Sequence, residues 1–190
     1  MRIKFVVLTL VAFLAVSAAP VMAAKKAEMS EEKQIAATYS KGVEMVNHRK
    51  WDAGIETLTK VIDNPKTSKD ILANALANRG AAYSNKKMYD DAMADFNKAL
   101  EIKPDLQNAL YERARVLAMQ GKHAEAVADL TKVIDMQKSS PTLITAGYYY
   151  NRGISYMGML PPQPDKAKAD FAMAKKLNPK LKIPVKYKDL

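Results

Sequence analysis

Few side chains in this chain are equipped to make or break bonds. There is no cysteine, which excludes a thiolate metal site, a thiol nucleophile and a disulfide framework. The only two histidines, His48 and His123, each sit beside lysine or arginine and read as solvated turn residues. No glycine-rich phosphate loop and no metal-ligand spacing is present. The acidic pairs Asp90-Asp91 and Glu31-Glu32 fall near predicted helix starts, where carboxylates offset the helix dipole, so they need no catalytic role. What remains is a set of asparagines and tyrosines, including the run Tyr148-Tyr149-Tyr150. Their chemistry is hydrogen bonding and packing. The reading is a protein that is not an enzyme and uses no cofactor and no metal.

The elements that must position these side chains are helices. Apolar residues make up 48% of 190 residues, enough for a packed core and too many for a disordered chain. The formal charge is +10, but it is unevenly placed. Arg2 and Lys4 lie in an N-terminal targeting segment, and residues 175–190 hold six lysines against Asp189. The body between carries little net charge, unlike the broad basic face of a nucleic-acid binder.

Residues 1–23 have the form of a secretory signal peptide: a basic start at Arg2 and Lys4, an uncharged run from Phe5 to Val16, and Val21-Met22-Ala23 before the predicted cut. Cleavage after Ala23 is expected, and with it a periplasmic or secreted location. A retained membrane anchor is the alternative.

The rest of the chain repeats. Leu58-Thr59-Lys60-Val61-Ile62-Asp63 recurs as Leu130-Thr131-Lys132-Val133-Ile134-Asp135, Asn78-Arg79-Gly80 as Asn151-Arg152-Gly153, and Ala94-Asp95-Phe96 as Ala169-Asp170-Phe171. The common offset is a duplicated unit of about 72 residues. Each unit splits again. Small residues at Gly42, Gly80, Ala114 and Gly153 are each followed by a second small residue, at Gly54, Ala92, Ala126 and Ala167, and then by Leu58, Phe96, Leu130 and Phe171 four residues on, at helical spacing. Small residues let two helices cross closely, and the large neighbours fill the space beside them. Thr67-Ser68, Ser140-Pro141 and Asp105 after Pro104 read as helix starts. The linkers before the second and fourth hairpins are four and five residues longer than the minimal period. They predict a first helix about one turn longer there, and looser joints between hairpins one and two, and three and four.

This pattern resembles the tetratricopeptide repeat. The segment from Met88 to Pro104 carries its marks at Tyr89, Ala92, Phe96, Ala99 and Pro104. The resemblance covers roughly residues 35–181 and identifies the chain with exported bacterial proteins of that family. It implies an all-α fold, a right-handed superhelix (α-solenoid) of about four helix-turn-helix repeats. The expected organisation is a signal peptide at 1–23, a lead-in at 24–34, repeats at 35–68, 73–106, 107–140 and 146–181 with a loop insertion at 161–164, and a basic tail at 182–190. The family register further places Tyr39, Ser40, Asn47, Asn74, Asn78, Asn85, Asn108, Tyr111, Glu112, Arg115, Tyr150, Asn151 and Met157 on the concave face. Asparagine is a poor helix-interior residue, so six of them on one face invite explanation. An amide can donate to and accept from an extended peptide, although the same amides can also bond within the groove. Some family members clamp a terminal carboxylate with cations; Tyr39, Asn108 and Glu112 stand in those places here, which excludes that mode.

The implied function is a protein–protein interaction adaptor or scaffold that takes a partner peptide or helix in the groove. The alternative is a structural assembly unit that self-associates as a homo-oligomer, or docks to the cell envelope, through an uncapped, basic C-terminal end. No capping helix is predicted after Pro179, because Pro184 interrupts the tail. Leu181, Ile183 and Val185 are positioned to fold back over the last hairpin. An acidic partner or anionic lipid is the expected company of the tail, and nucleic acid is not.

Overall fold

The computed structural model describes residues 22, 27–184 and 187; the signal-peptide pattern lies outside them apart from Met22. Among the described residues there are eight helices and no strand: α1 over 27–47, α2 (Trp51–Ile62), α3 (Lys69–Asn85), α4 (Tyr89–Ile102), α5 (Gln107–Met119), α6 (His123–Met136), α7 (Leu143–Gly158) and α8 (Pro164–Leu177). They form four antiparallel hairpins stacked in chain order as an α-solenoid. Residues 27–34, expected as a separate lead-in, are continuous with α1.

The sequence explains the hairpins locally. Each of the first three turns a corner through one residue in the left-handed region, Arg49 (φ 60°), Lys87 (φ 64°) and Gly121 (φ 77°). Behind the turn the helices cross at the small residues. A Cβ built on Gly80 would lie 2.7 Å from Phe96 Cε1, and one on Gly153 would lie 2.7 Å from Phe171 Cε1, so only glycine admits the ring. Phe96 is fully buried, a contribution of about 1.5–3 kcal/mol per such side chain. The core falls into two clusters. One joins Ile35, Val46, Leu58 and Val61 to Ala75 and Ala82 of α3. The larger runs from Leu76 through Phe96, Leu110 and Leu130 to Tyr148. Ile62 touches both.

Helix starts are mostly where the residues put them, with two shifts. Ser68 caps α3 by accepting from Ile71 N at 3.4 Å. The start of α7 is Thr142 rather than Ser140-Pro141, because Thr145 Oγ1 accepts from Thr142 N at 2.9 Å in a reciprocal box. The start of α5 is Leu106 rather than Asp105, since Leu106 is drawn into the core. Pro164 opens α8, where its missing N–H costs nothing, so the loop ends at Gln163 and not at 164. The long linkers do lengthen their helices: α3 has 17 residues and α7 has 16, against 13 in α5. That added turn makes the joints of hairpins one with two and three with four the more extensive ones, and the middle joint the lesser. The expectation of looser outer joints is therefore reversed.

Polar clasps lock the stack. Arg79 Nε and Nη2 each donate to Asp95 at 2.8 Å; Arg113 grips Asp129 and Arg152 grips Asp170 in the same bidentate way at 2.8 Å. The third branch reaches back one hairpin, with Arg79 Nη1 donating to Thr59 Oγ1 at 2.9 Å, Arg113 to Asn97 Oδ1 at 2.8 Å and Arg152 to Thr131 Oγ1 at 3.1 Å. All three aspartates are buried. The carboxylate bond holds each guanidinium pKa above its usual value, against an opposing push from burial. In the first hairpin Lys41 and Thr57 occupy the corresponding places.

At the far end no α-helix follows α8 among the described residues. Tyr187 instead stacks on Phe171, with ring centroids 5.7 Å apart at 22°. Leu181 and Ile183 are half-buried.

Candidate peptide-binding groove

An asparagine inside a helix has a backbone carbonyl one turn back within reach of its amide. Asn74 donates to Asp70 O at 2.7 Å, Asn78 to Asn74 O at 2.8 Å, Asn85 to Ala81 O at 2.8 Å and Asn151 to Gly147 O at 2.8 Å. Asn78 and Asn151 also reach the preceding hairpin. Asn78 Nδ2 donates to Tyr39 Oη at 3.3 Å, and Asn151 Nδ2 donates to Tyr111 Oη at 3.1 Å. The two latches are copies of each other through the 72-residue duplication. They span α1 to α3 and α5 to α7. At the middle joint the same register holds Ala77 and Glu112. Burial raises the pKa of both tyrosines, with the asparagine bond acting in the lowering direction.

The second latch opens on a charged and aromatic cluster. Arg115 Nη1 donates to Glu112 Oε2 at 2.7 Å, and its guanidinium carbon lies 5.9 Å from the Tyr111 ring centroid. Tyr111 packs against Tyr148 at 5.0 Å between centroids. Burial raises the Glu112 carboxyl pKa, which Arg115 opposes. A cleft of about 840 Å³ adjoins this cluster, lined by Asn108, Tyr111, Gly147 and Tyr148, with Met136, Leu143, Ile144 and Leu181 as its apolar part. Leu143 is 65% and Ile144 68% exposed.

The structure thus brings Tyr39, Asn74 and Asn78 into one group, and Asn108, Tyr111, Glu112, Arg115 and Asn151 into another. Asn47 and Asn85 are exposed near the hairpin turns and join neither. Ser40 donates to Ala36 O at 2.9 Å, and Met157 is half-buried. Tyr150 shares the register of Tyr39 and Tyr111, but among the described residues no further first helix follows α7 to supply an asparagine, and its ring packs on Phe171 at 6.1 Å instead. The tyrosine of that run which lines the cleft is Tyr148.

His123 is also corrected. It is not a solvated turn residue: its ring packs under Gly158, and Nδ1 is buried without a partner. It fills the place that Trp51 and Tyr89 fill in the first two hairpins. His48 is exposed, with Nδ1 2.8 Å from Glu44 O. Sequence reasoning missed the clasps, although the repeated triplets Asn-Arg-Gly and Ala-Asp-Phe contain their Arg and Asp. It also missed Leu143 and Ile144, whose exposure depends on how α7 begins.

Among the described residues no group of three or more His, Asp or Glu side chains could hold a metal ion. Models of the tetratricopeptide repeat match residues 73–106 and 108–139. The chain is 32% identical over 124 residues to human tetratricopeptide repeat protein 13, which covers 63% of this chain and 14% of that protein. It is 28% identical over 107 residues to the mouse mitochondrial import receptor subunit TOM70, covering 56% of this chain and 18% of that one. A serine/threonine-protein phosphatase T of Trypanosoma brucei brucei is 32% identical over 90 residues, covering 47% and 18%. The chain therefore spans less than a fifth of these relatives. Among solved structures, MamA of Desulfovibrio magneticus RS-1 has a TM-score of 0.64 at 21% identity, over 80% of this chain and 78% of that one, a likeness of fold. Eight stacked helices, the crossing glycines and these matches agree: the chain is a tetratricopeptide repeat protein.

Proposed function

We propose that this protein is a non-catalytic scaffold that holds a segment of a partner protein in its concave groove. The observation that carries this reading is the cleft beside α7. There the exposed Leu143 and Ile144 and the partly exposed Met136 meet the polar side chains of Asn108 and Tyr111. An apolar patch with convergent polar groups is what an anchored peptide or helix needs. The latches fix the groove rather than offer all of its hydrogen bonds. Both amides already donate internally, and each Oδ1 accepts nothing among the described residues, so a peptide N–H would be met by that oxygen. An import receptor subunit among the relatives accords with a role in handling other proteins. The signal-peptide pattern of residues 1–23 supports action outside the cytoplasm.

Affinity capture from an envelope extract of the source cells tests the reading. Wild type, Ile144→Glu and the exposed control Lys98→Glu are compared by quantitative mass spectrometry. The expected result is a protein retained by wild type and the control but lost from Ile144→Glu. A captured set indifferent to Ile144→Glu would remove the cleft from the binding site.

A further inference from the structure

The second helix of every hairpin offers an outer face to the next hairpin, and its register can be followed along the chain. Three residues before the buried anchors Leu58, Phe96, Leu130 and Phe171 stand Ile55, Met93, Val127 and Lys168; four residues after them stand Ile62, Leu100, Ile134 and Lys175. The clasp acceptor, one residue after the anchor, is Thr59, Asn97 or Thr131 in α2, α4 and α6. In α8 it is Ala172. So α8 replaces both aliphatic positions with exposed lysine and lacks the acceptor that an incoming arginine would use. A further hairpin stacked there would bury two lysine charges without partners, which is strongly unfavourable.

Any polar residue would close the stack, so the sign of the charge carries separate information. Acidic residues outnumber basic ones in α2, α4 and α6, by one, three and two. In α8 the balance reverses, with Lys166, Lys168, Lys175 and Lys176 against Asp165 and Asp170, and Asp170 is already held by Arg152. Lys180 and Lys182 extend the patch. Lys168, Lys175, Lys176, Lys180 and Lys182 are all exposed, and none is paired with a carboxylate among the described residues.

We infer that this face of α8, with the segment after it, docks on an anionic phospholipid surface. Two features favour lipid over an acidic protein. No large apolar side chain is exposed anywhere from 164 to 184, so there is no anchor for the desolvated centre of a specific protein interface. Every free cation is lysine, a mobile point charge, and none is arginine, the residue suited to bidentate carboxylate recognition. Spread lysines match a fluid, charged surface, where each adds about fivefold to binding. None of the patch lysines lines the cleft, which the segment after α8 borders through Asn178 and Leu181, so the two readings can fail separately.

Vesicle co-sedimentation of the full chain provides the test, with phosphatidylcholine alone or mixed with phosphatidylglycerol. The cations beside the apolar N-terminal run, Arg2 and Lys4, add the same anionic preference to wild type and to every variant, so the change in preference between wild type and variant is the readout. Wild type is expected to prefer the anionic vesicles. Lys168→Glu/Lys175→Glu is expected to weaken that preference at least tenfold, Lys168→Gln/Lys175→Gln to weaken it less, and the charge-matched control Lys60→Glu/Lys132→Glu to leave it nearly intact. Circular dichroism checks that all three keep their helices. Equal binding to both compositions, an equal loss in the control, or binding to polyglutamate as strong as to the anionic vesicles would overturn the inference.

Discussion

The first hairpin and the three after it are built to one plan but held by different forces. Hairpins two to four each carry an arginine that grips a buried aspartate and reaches back to the hairpin before it. Hairpin one has Lys41 and Thr57 in those places, and Thr57 Oγ1 finds only Met45 Sδ at 3.4 Å. It also turns polar on the face that elsewhere packs backward. Gln34, Thr38 and Glu44 stand where α3 has Leu72, Leu76 and Ala82. A clasp needs a preceding second helix to receive its third branch. The lesson is that stacking here is directional, written in an Arg, an Asp and an acceptor on three different helices. Hairpin one has no Arg–Asp pair of its own; it is tied to the rest by its apolar cluster with α3, by Arg79 Nη1 on Thr59 and by the Tyr39–Asn78 latch, while exposed ion pairs such as Lys86–Asp52 add little.

Breaking one clasp should separate the two regions most sharply. Asp95→Ala strands a mostly buried guanidinium and is expected to cost about 3 kcal/mol in chemical denaturation. Thr57→Ala at the matching place in hairpin one should cost less than about 1 kcal/mol. Comparable losses at the two sites would mean that the clasp adds nothing special.

The turns give a smaller contrast of the opposite sign. Gly121 takes its left-handed conformation freely, while Arg49 and Lys87 do so against a steric penalty. Lys87→Gly is expected to stabilise by about 0.5–1 kcal/mol, seen as a raised denaturation midpoint with an unchanged slope.

The smallest effect concerns the middle joint, where Glu112 replaces a latch asparagine. Its carboxyl pKa is raised by burial. A carboxyl with a higher pKa folded than unfolded favours the fold while protonated, and that advantage is lost as pH rises through its folded pKa. Glu112→Gln should therefore flatten the pH dependence of stability between the ordinary carboxylate range and neutrality, by less than about 1 kcal/mol in total. A variant with wild-type pH dependence would show that Glu112 is solvated.

Much of this architecture was legible in the residues. The crossing glycines, the anchors that meet them and the duplicated unit follow from self-comparison, because close helix packing requires small against large at fixed spacing. The longer α3 and α7 were legible from linker length, but the consequence for the joints was not, since an added turn extends the contact instead of loosening it. In the groove, the register located Tyr39, Asn78, Tyr111 and Asn151. It could not say that their amides would be spent on neighbouring carbonyls and hydroxyls, which depends on side-chain geometry. His123 misled because its neighbours in sequence are polar while its neighbour in space is Gly158.

Native-state hydrogen exchange tests the central claim, that the Arg–Asp pair inside each of hairpins two to four holds its two helices together more tightly than the helices of hairpin one are held. Amides of α1 and α2 should open at lower free energy than those of α3 to α6, and Asp129→Ala should lower protection in α5 to α8 while leaving α1 and α2 unchanged. Uniform protection along the array, with Asp129→Ala lowering every helix alike, would contradict it.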